Sequence, residues 1–545
     1  MAFTMAETRS SSDAANKEFG GVVKHEQING KEVNVESVAL ADAQARSKQN
    51  PWSARSMQLY TFCLVATLNS CINGYDGMVL GNINSMDPFL KFFGLPEGGG
   101  SQTGIFFSIY NIGGIVATPF VGPLVDMWGR RWGMVIGAAL IVIGSIVQGA
   151  SQNKGQFIGA RFILGFGVNI SASAGPAYVV EIAPPSWRGA VTGVYNTFWF
   201  MGAIPASWVT YGTGLHLKDS DQCWRIPLYL QCVFSGLVLI FSLLLPESPR
   251  WLFANDRHDE AVAILAKYHG EGDPNDPIVQ LQIREFQESI SHEGSDKKWW
   301  DYREVFNTRG NLWRILMVFL MAFIGQWSGN AVVSYFMPYA LKGAGVSDPN
   351  TQRLLSALMT VVQFIFALVG AGIVDRFGRR TLMFYGECLF TIYFAIITAL
   401  SSQYDDKLGA FPNKQMSNAV ITFIYLFGVT YSVTITPMQA LYPVECLKYE
   451  TRAKGMALNG LFIGIAGFYN LFVTSIAQVN IGWKYYYWFI AENALAAVII
   501  FFIFVETKGR TLEELEEVFN APNPNKASRQ KQHAEVEKGV GAVVA

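Results

Sequence analysis

Runs of about 19–24 mainly apolar residues recur along this chain, each long enough as a helix to cross a ~30 Å hydrocarbon core. No other feature limits the possible fold so strongly. The runs fall at roughly 58–80, 104–125, 132–150, 156–178, 190–213 and 226–245, then at roughly 314–336, 354–374, 381–400, 418–441, 455–478 and 486–505. Six spans, a polar interval of about 68 residues and six more predict an all-α integral membrane protein with twelve transmembrane helices. Composition agrees, because only 15% of residues are charged, whereas a soluble chain carries about a quarter. Much of the surface is therefore expected to face the lipid bilayer.

A net charge of −1 offers nothing to a polyanion, and no nucleic-acid footprint is visible. Cysteines 63, 71, 223, 232, 388 and 446 lie mostly inside apolar runs. They read as small apolar filler rather than a metal site or a disulfide framework. The Asn169-Ile170-Ser171 sequon also falls inside a span and reads as a chance match. No nucleophile–base, metal or cofactor constellation supports an enzyme.

Lysine and arginine near the span ends set the expected orientation. One face collects Arg130, Arg131, Arg188, Arg376, Arg379, Arg380, Lys448, Arg452 and Lys454, while the other holds Lys91, Lys154, Lys218 and Lys342 in mostly longer connections. The positive-inside bias places both termini in the cytoplasm and the Tyr485–Trp488 cluster at the outer interface. The expected organisation is a disordered cytoplasmic arm over 1–56 with no signal peptide, a six-helix bundle over 57–250 and a cytoplasmic linker over 251–311. A second bundle follows over 312–510, then a cytoplasmic tail over 511–545. The linker is expected to form helices around Glu260–Tyr268 and Ile278–Ile290 and to pack beneath the membrane domain.

The halves repeat one another. Gly122-Pro-Leu-Val-Asp126-Met-Trp-Gly129-Arg130-Arg131 follows the second span, and Gly372-Ile-Val-Asp375-Arg-Phe-Gly378-Arg379-Arg380 follows the eighth. Glu181 precedes Arg188 by seven residues, as Glu445 precedes Arg452; Glu247 with Arg250 closes the sixth span, as Glu506 with Arg510 closes the twelfth. All six motifs fall on the basic face. An even number of spans per half keeps both copies in one orientation, which makes two parallel-repeat six-helix bundles. Parallel repeats in transporters are related by an axis along the membrane normal, with substrate near the midplane between them. Ion pairing among these groups is expected to form a cytoplasmic gate whose closure favours an outward-open state, although each exposed pair contributes only ~0–1 kcal/mol.

With Gly74-Tyr75-Asp76, both Asp-x-x-Gly-Arg-Arg loops, Pro246-Glu-Ser-Pro-Arg-Trp251-Leu and Glu506-Thr-Lys-Gly-Arg-Thr-Leu-Glu-Glu514, the chain resembles the sugar porter family of the major facilitator superfamily from about residue 58 to 520. Gly325-Gln326-Trp327-Ser328-Gly329-Asn330, Ser334-Tyr335 and Ile481-Gly482-Trp483-Lys484-Tyr485-Tyr486 look closest to fungal lactose permeases and cellodextrin transporters. The resemblance implies alternating access by a plasma-membrane carrier that works as a monomer and needs no cofactor.

Neutral sugars require hydrogen-bond partners and an aromatic face rather than charge. Gln326 and Asn330, four residues apart on one expected continuous helix, would present both amides on one face, near mid-membrane at ~20–27 Å along it. Tyr335 follows them, Asn470 lies mid-way along the eleventh span, and Asn196 matches a sugar-binding glutamine of the family. An amide inside a membrane helix can also serve only to bind helices together. Gly325, Ala331 and Ala440 are each smaller than the residue the family usually has there, so the cleft is expected to suit a disaccharide or another larger sugar. Asp76 and Arg161 share a depth near the outer side, where neither charge should be stable alone. In symporters of the family this matched pair couples transport to protons; a static structural pair is the alternative. Glu387 and Glu492 are further intramembrane acids without an assigned role. The readings left open are a proton-coupled symporter, a passive uniporter and a sugar sensor that does not transport.

Overall fold

The computed structural model describes residues 26–28, 31–33, 46–47, 50–96, 99–185, 188–293, 302–403, 414–448, 451–508, 510 and 512–529. Helices stand at all twelve expected spans. The first half holds α1 (Ala54–Ile83), α2 (Ser101–Trp128), α3 (Arg130–Gly149), α4 (Lys154–Ile182), α5 (Arg188–His216) and α6 (Gln222–Ser242). The second holds α7 (Arg309–Trp327), α8 (Pro349–Phe377), α9 (Arg379–Ser401), α10 (Lys414–Thr434), α11 (Arg452–Asn480) and α12 (Tyr486–Phe502). Ten of the twelve are apolar enough to cross a membrane on composition alone; the exceptions are α1 and α5. In α1 the reason is a run of Asn69, Asn73, Asp76 and Asn82, polar groups that the protein interior rather than lipid must satisfy.

Two expected helices are broken. The chain leaves α7 at Trp327, turns at Gly329 with φ +106°, and resumes as short helices Asn330–Ser334 and Met337–Gly343. A φ in that range strains any L side chain, so glycine permits the break. After α10 the chain pauses at Ile435 and continues as Thr436–Cys446, whose second residue is Pro437. Proline has no N–H to continue the preceding helix but is well suited to opening a new one.

Within the first bundle α1 packs on α5 and α4 on both α2 and α3; within the second α8 and α9 pack on α10, and α9 on α12. Between bundles the main contacts are α2 with α11 and α5 with α8. These pairs exchange when the two halves are superposed (2↔8, 5↔11), as a two-fold repeat requires. The α1–α5 approach is backbone-close, since a Cβ on Gly74 or Gly202 would run into the Trp199 or Cys71 carbonyl. Small residues allow this contact where apolar burial supplies little drive.

Hydrogen bonds between the halves cluster at the end away from Arg130 and Arg379. Gly100 N–H donates to the Ser475 carbonyl and Ser475 Oγ to the Gly100 carbonyl, both at 3.0 Å. Asn84 Nδ2 donates to Tyr339 Oη and Tyr339 Oη to the Asn84 carbonyl, both at 2.9 Å. Arg353 reaches the Ser85 carbonyl at 3.4 Å. This end is closed.

The linker helices Pro249–Ala254, His258–Tyr268 and Pro277–Glu293 belong to the first bundle. Buried His269 joins the Ile182 carbonyl at 3.1 Å to Gln282 Oε1 at 2.6 Å. The arm expected to be disordered has docked portions: Ser47 donates to Asp276 at 2.9 Å and Ser53 to Glu271 at 2.5 Å. Farther upstream, Glu26–Ile28 and Lys31–Val33 pair as antiparallel strands. Helices Leu512–Asn520 and Pro524–Arg529 attach to the second bundle, with Arg309 donating to the Pro522 carbonyl at 3.0 Å and Lys448 paired to Glu516. Each bundle thus carries its own set of peripheral helices.

Candidate functional site

Among the described residues, the most deeply buried ion pair joins α1 to α4. Arg161 Nη1 lies 2.7 Å from Asp76 Oδ1, and both residues are at most 3% exposed. Sequence reasoning placed these residues at one depth but missed their third partner, Gln231 of α6, whose Nε2 donates to the same oxygen at 2.9 Å. The arginine also lies 5.1 Å over the Tyr110 ring of α2. Four helices of the first bundle therefore converge on one carboxylate. The second bundle reaches the same place, because Tyr335 packs against α1 at Gly77, next to Asp76, and edge-on to Phe107 at 6.5 Å. Arg161 Nε and Gln231 Oε1 are buried without partners.

The expected one-face pairing of Gln326 and Asn330 does not survive the break at Gly329. Gln326 closes α7 and its side-chain amide has no hydrogen-bond partner among the described residues, while Asn330 opens the next helix and accepts from Ser334 Oγ at 2.8 Å. Asn470 of α11 spends its amide on structure: Nδ2 donates to the Gln326 carbonyl, left without a helical donor by the break, and Oδ1 accepts from Thr474 at 3.1 Å. The Asn196 side chain lies outside the described residues.

Two of the three small residues expected to widen the cleft adjoin packed groups. Gly325 is small because Gln439 of the Thr436–Cys446 helix fills the adjoining space; a Cβ there would strike its amide. Gln439 Nε2 donates to the Gly325 carbonyl and to Tyr431 Oη, each at 2.9 Å, and Tyr431 donates to the same carbonyl at 2.6 Å. Ala331 is buried in the cluster that holds Phe107 and Phe336. Ala440 alone of the three is only partly buried.

At the basic end the repeat holds in atomic detail. Arg130 binds Asp126 at 3.2 Å and Glu181 at 3.0 Å, and Ser248 Oγ donates to Glu181 at 2.5 Å. Arg379 binds Glu445 at 2.7 Å, and Thr507 Oγ1 donates to Glu445 at 2.6 Å. The two arginines are hubs. Glu247 and Glu506 have a role that spacing did not reveal: each caps the N-terminus of a neighbouring helix. Glu247 accepts from the N–H groups of Arg130, Arg131 and Ser248 at 3.1, 3.3 and 2.9 Å. Glu506 accepts from Arg379, Arg380, Thr507 and Lys508 at 2.9–3.1 Å. Gly129 and Gly378, at φ +96° and +88°, leave room for these carboxylates, since a Cβ would collide with either one. Burial pushes the Glu247 carboxyl above its ordinary range.

Each of these bonds lies beneath its own bundle, and none of them joins the two halves. They brace each bundle as a rigid body while the opposite end is closed. Arg510 donates to the Ser528 carbonyl at 3.0 Å. The side chains of Arg188 and Asp375 lie outside the described residues, and Arg452 sits at the start of α11.

The family model for sugar (and other) transporters matches residues 62–519. The chain belongs to this family. It is a multi-pass membrane transporter with the major facilitator fold, not an enzyme. A probable quinate permease of Aspergillus flavus is 27% identical over 498 residues, covering 87% of this chain and 90% of its own length. The quinate permease of Emericella nidulans is 27% identical over 497 residues, covering 88% and 91%. The expected likeness to lactose permeases and cellodextrin transporters is thus not the one these relatives display. Among solved structures, the E. coli xylose transporter XylE in a partially occluded inward-open conformation matches with TM-score 0.68 at 21% identity, over 83% of this chain and 99% of that one. The proton:xylose symporter XylE bound to 6-bromo-6-deoxy-D-glucose gives TM-score 0.68 at 20% identity, covering 85% and 100%. Both share the fold.

Proposed function

We propose that this transporter carries a polyhydroxylated, single-ring solute by alternating access, driven by protons that load at Asp76. The observation that carries the reading is the buried Asp76–Arg161 pair at 2.7 Å, with Tyr335 of the other bundle packed beside it. A charge pair so placed is costly, and ionisable groups within a membrane protein mark ion and proton pathways. Protonating Asp76 weakens its hold on Arg161 and alters the surface against which Tyr335 closes, so proton occupancy can bias which end is open. Gln326, with a free amide at a helix break, supplies the first substrate contact, and Asn330 and Tyr335 line the same region. Asn470 is the brace that holds the break in place. Asn196 remains a candidate ligand on α5.

Gln439 beside Gly325 and the burial of Ala331 favour a single-ring solute over the disaccharide expected from the sequence. A second reading is favoured by the quinate permeases among the relatives. Quinate is a ring polyol with a carboxylate, and Arg161 would be available to such an anion whenever Asp76 is protonated. A competition panel of a pentose, a hexose, quinate and two disaccharides, in cells lacking their own carriers, separates these cases. Competition by pentose or hexose supports the sugar reading and competition by quinate the acid reading. Competition by disaccharides alone contradicts both.

The Lys and Arg bias supports cytoplasmic termini, while plasma-membrane residence as a monomer rests on the family resemblance alone. The mechanical units under this proposal are 57–250 with the linker 251–311, and 312–510 with the docked helices of the 511–545 tail.

A further inference from the structure

Behind the α7 break lies a second acidic site to which transport through Asp76 assigns nothing. Glu387 of α9 is fully buried and accepts from Ser328 Oγ at 3.3 Å. Asn493 of α12, also fully buried, donates from Nδ2 to the Ser328 carbonyl at 3.3 Å. Both side-chain ends therefore meet at the residue before Gly329. Glu492 adjoins Asn493 in α12, which packs along α9, and its Oε2 is buried as well.

Three atoms at this junction are buried without a hydrogen-bond partner: Glu387 Oε2, Glu492 Oε2 and Asn493 Oδ1. All three are acceptors. Neither glutamate pairs with a lysine, arginine or histidine among the described residues. The titratable groups nearest the pair are Cys388 on α9 itself, Tyr431 from α10 and Tyr485 from the turn before α12, all neutral at neutral pH. Along α8 no titratable residue lies between Arg353 and Asp375, and along the α7 segment none lies between Arg314 and Tyr335. A fully buried carboxylate with no cationic partner is costly to ionise, a second acid on the adjoining helix adds to that cost, and unpaired buried acceptors carry a further one. A hydrogen on one carboxyl answers both problems, because it removes a charge and gives the acceptors a donor.

We propose that Glu387 and Glu492 form a second proton-binding site, in which at least one proton is held at neutral pH and shared across the junction that fixes the Ser328–Gly329 break. The proton comes from solvent and no bond other than O–H is made. Because Ser328 connects this site to Gln326 two residues away, its occupancy sets the geometry of the substrate-facing end of α7.

The test uses the purified full chain and needs no substrate, so its outcome is separate from that of the transport proposal. Infrared spectra at neutral pH should show the C=O stretch of a protonated carboxylic acid. The band should persist in Asp76→Asn, be lost in Glu387→Gln, and shift in Glu492→Gln. An identical band in wild type and Glu387→Gln overturns the site. Exchanging sodium for choline at fixed pH should leave the band unchanged; its loss in sodium would mean that a metal cation is the ligand and would overturn the proton assignment. If Glu387→Gln does not fold, wild-type protein is treated with dicyclohexylcarbodiimide, which modifies protonated carboxyls in apolar surroundings. An adduct on Glu387 or Glu492 that diminishes as pH rises supports the site, and no adduct on either overturns it.

Discussion

Replacing Glu506 with alanine should loosen the second bundle at its basic end. Four backbone N–H groups, those of Arg379, Arg380, Thr507 and Lys508, lose their acceptor. Loss of a helix cap alone costs ~1–2 kcal/mol, and an orphaned donor costs about 1–3 kcal/mol where water cannot reach it. Glu506 is only partly buried, so water replaces some of these bonds, and the total should be about 2–4 kcal/mol. For a domain of bundle size this corresponds to a fall in Tm on the order of 5–10 °C. Thermal unfolding followed by size-exclusion chromatography of the detergent-solubilised protein measures it. Glu506→Gln keeps one acceptor oxygen and should lose roughly half as much. Glu247→Ala removes the acceptor of three N–H groups rather than four and should fall between them. Unchanged Tm in Glu506→Ala would refute the capping role and return this residue to a plain surface charge.

Gln326→Ala should weaken uptake severely at normal surface expression, since an unpaired substrate hydroxyl costs roughly 1–3 kcal/mol; wild-type apparent affinity would exclude the residue as a ligand. Gln439→Ala removes the amide that fills the space at Gly325, and should raise acceptance of larger solutes relative to a single-ring one; an unaltered preference in the uptake panel would show that this space does not border the cleft. Burial raises the Glu247 carboxyl, so the folded state binds this proton more readily than the unfolded state. Its contribution to stability is then full below the unfolded value and is lost as pH rises through the folded one. Wild type should gain stability relative to Glu247→Gln as pH falls from 7 toward 5, and parallel Tm curves would contradict that.

What the sequence made legible was whatever depends on period and recurrence. Span length fixed the twelve helices, and the recurring Asp-x-x-Gly-Arg-Arg and glutamate motifs fixed the two-fold repeat. Counting depth along two helices was enough to bring Asp76 and Arg161 together. What stayed hidden depends on which side chain enters a neighbour's space. Gly325 looks like an opening until Gln439, 114 residues later, is seen to fill it. Glu247 and Glu506 recur at fixed places, but spacing does not say that their partners are backbone N–H groups rather than the arginines alongside. Gly329 was the available signal for the break in α7, yet an isolated glycine within an apolar run is tolerated in membrane helices. Gln231 gave no signal, since one amide in α6 acquires meaning only when three other helices surround it.

Proton coupling through Asp76 is the central claim, and Asp76→Asn addresses it most directly because the change removes the charge at nearly constant size. In weakly buffered suspensions of cells lacking their own carriers, wild type given its transported solute should alkalinise the medium, and its accumulation should collapse with a protonophore. Asp76→Asn should still exchange solute across the membrane, without alkalinisation, accumulation or protonophore sensitivity. Wild-type solute uptake with no change in external pH would contradict the account; the protein would then be a uniporter, with Asp76 and Arg161 serving only to hold α1 against α4.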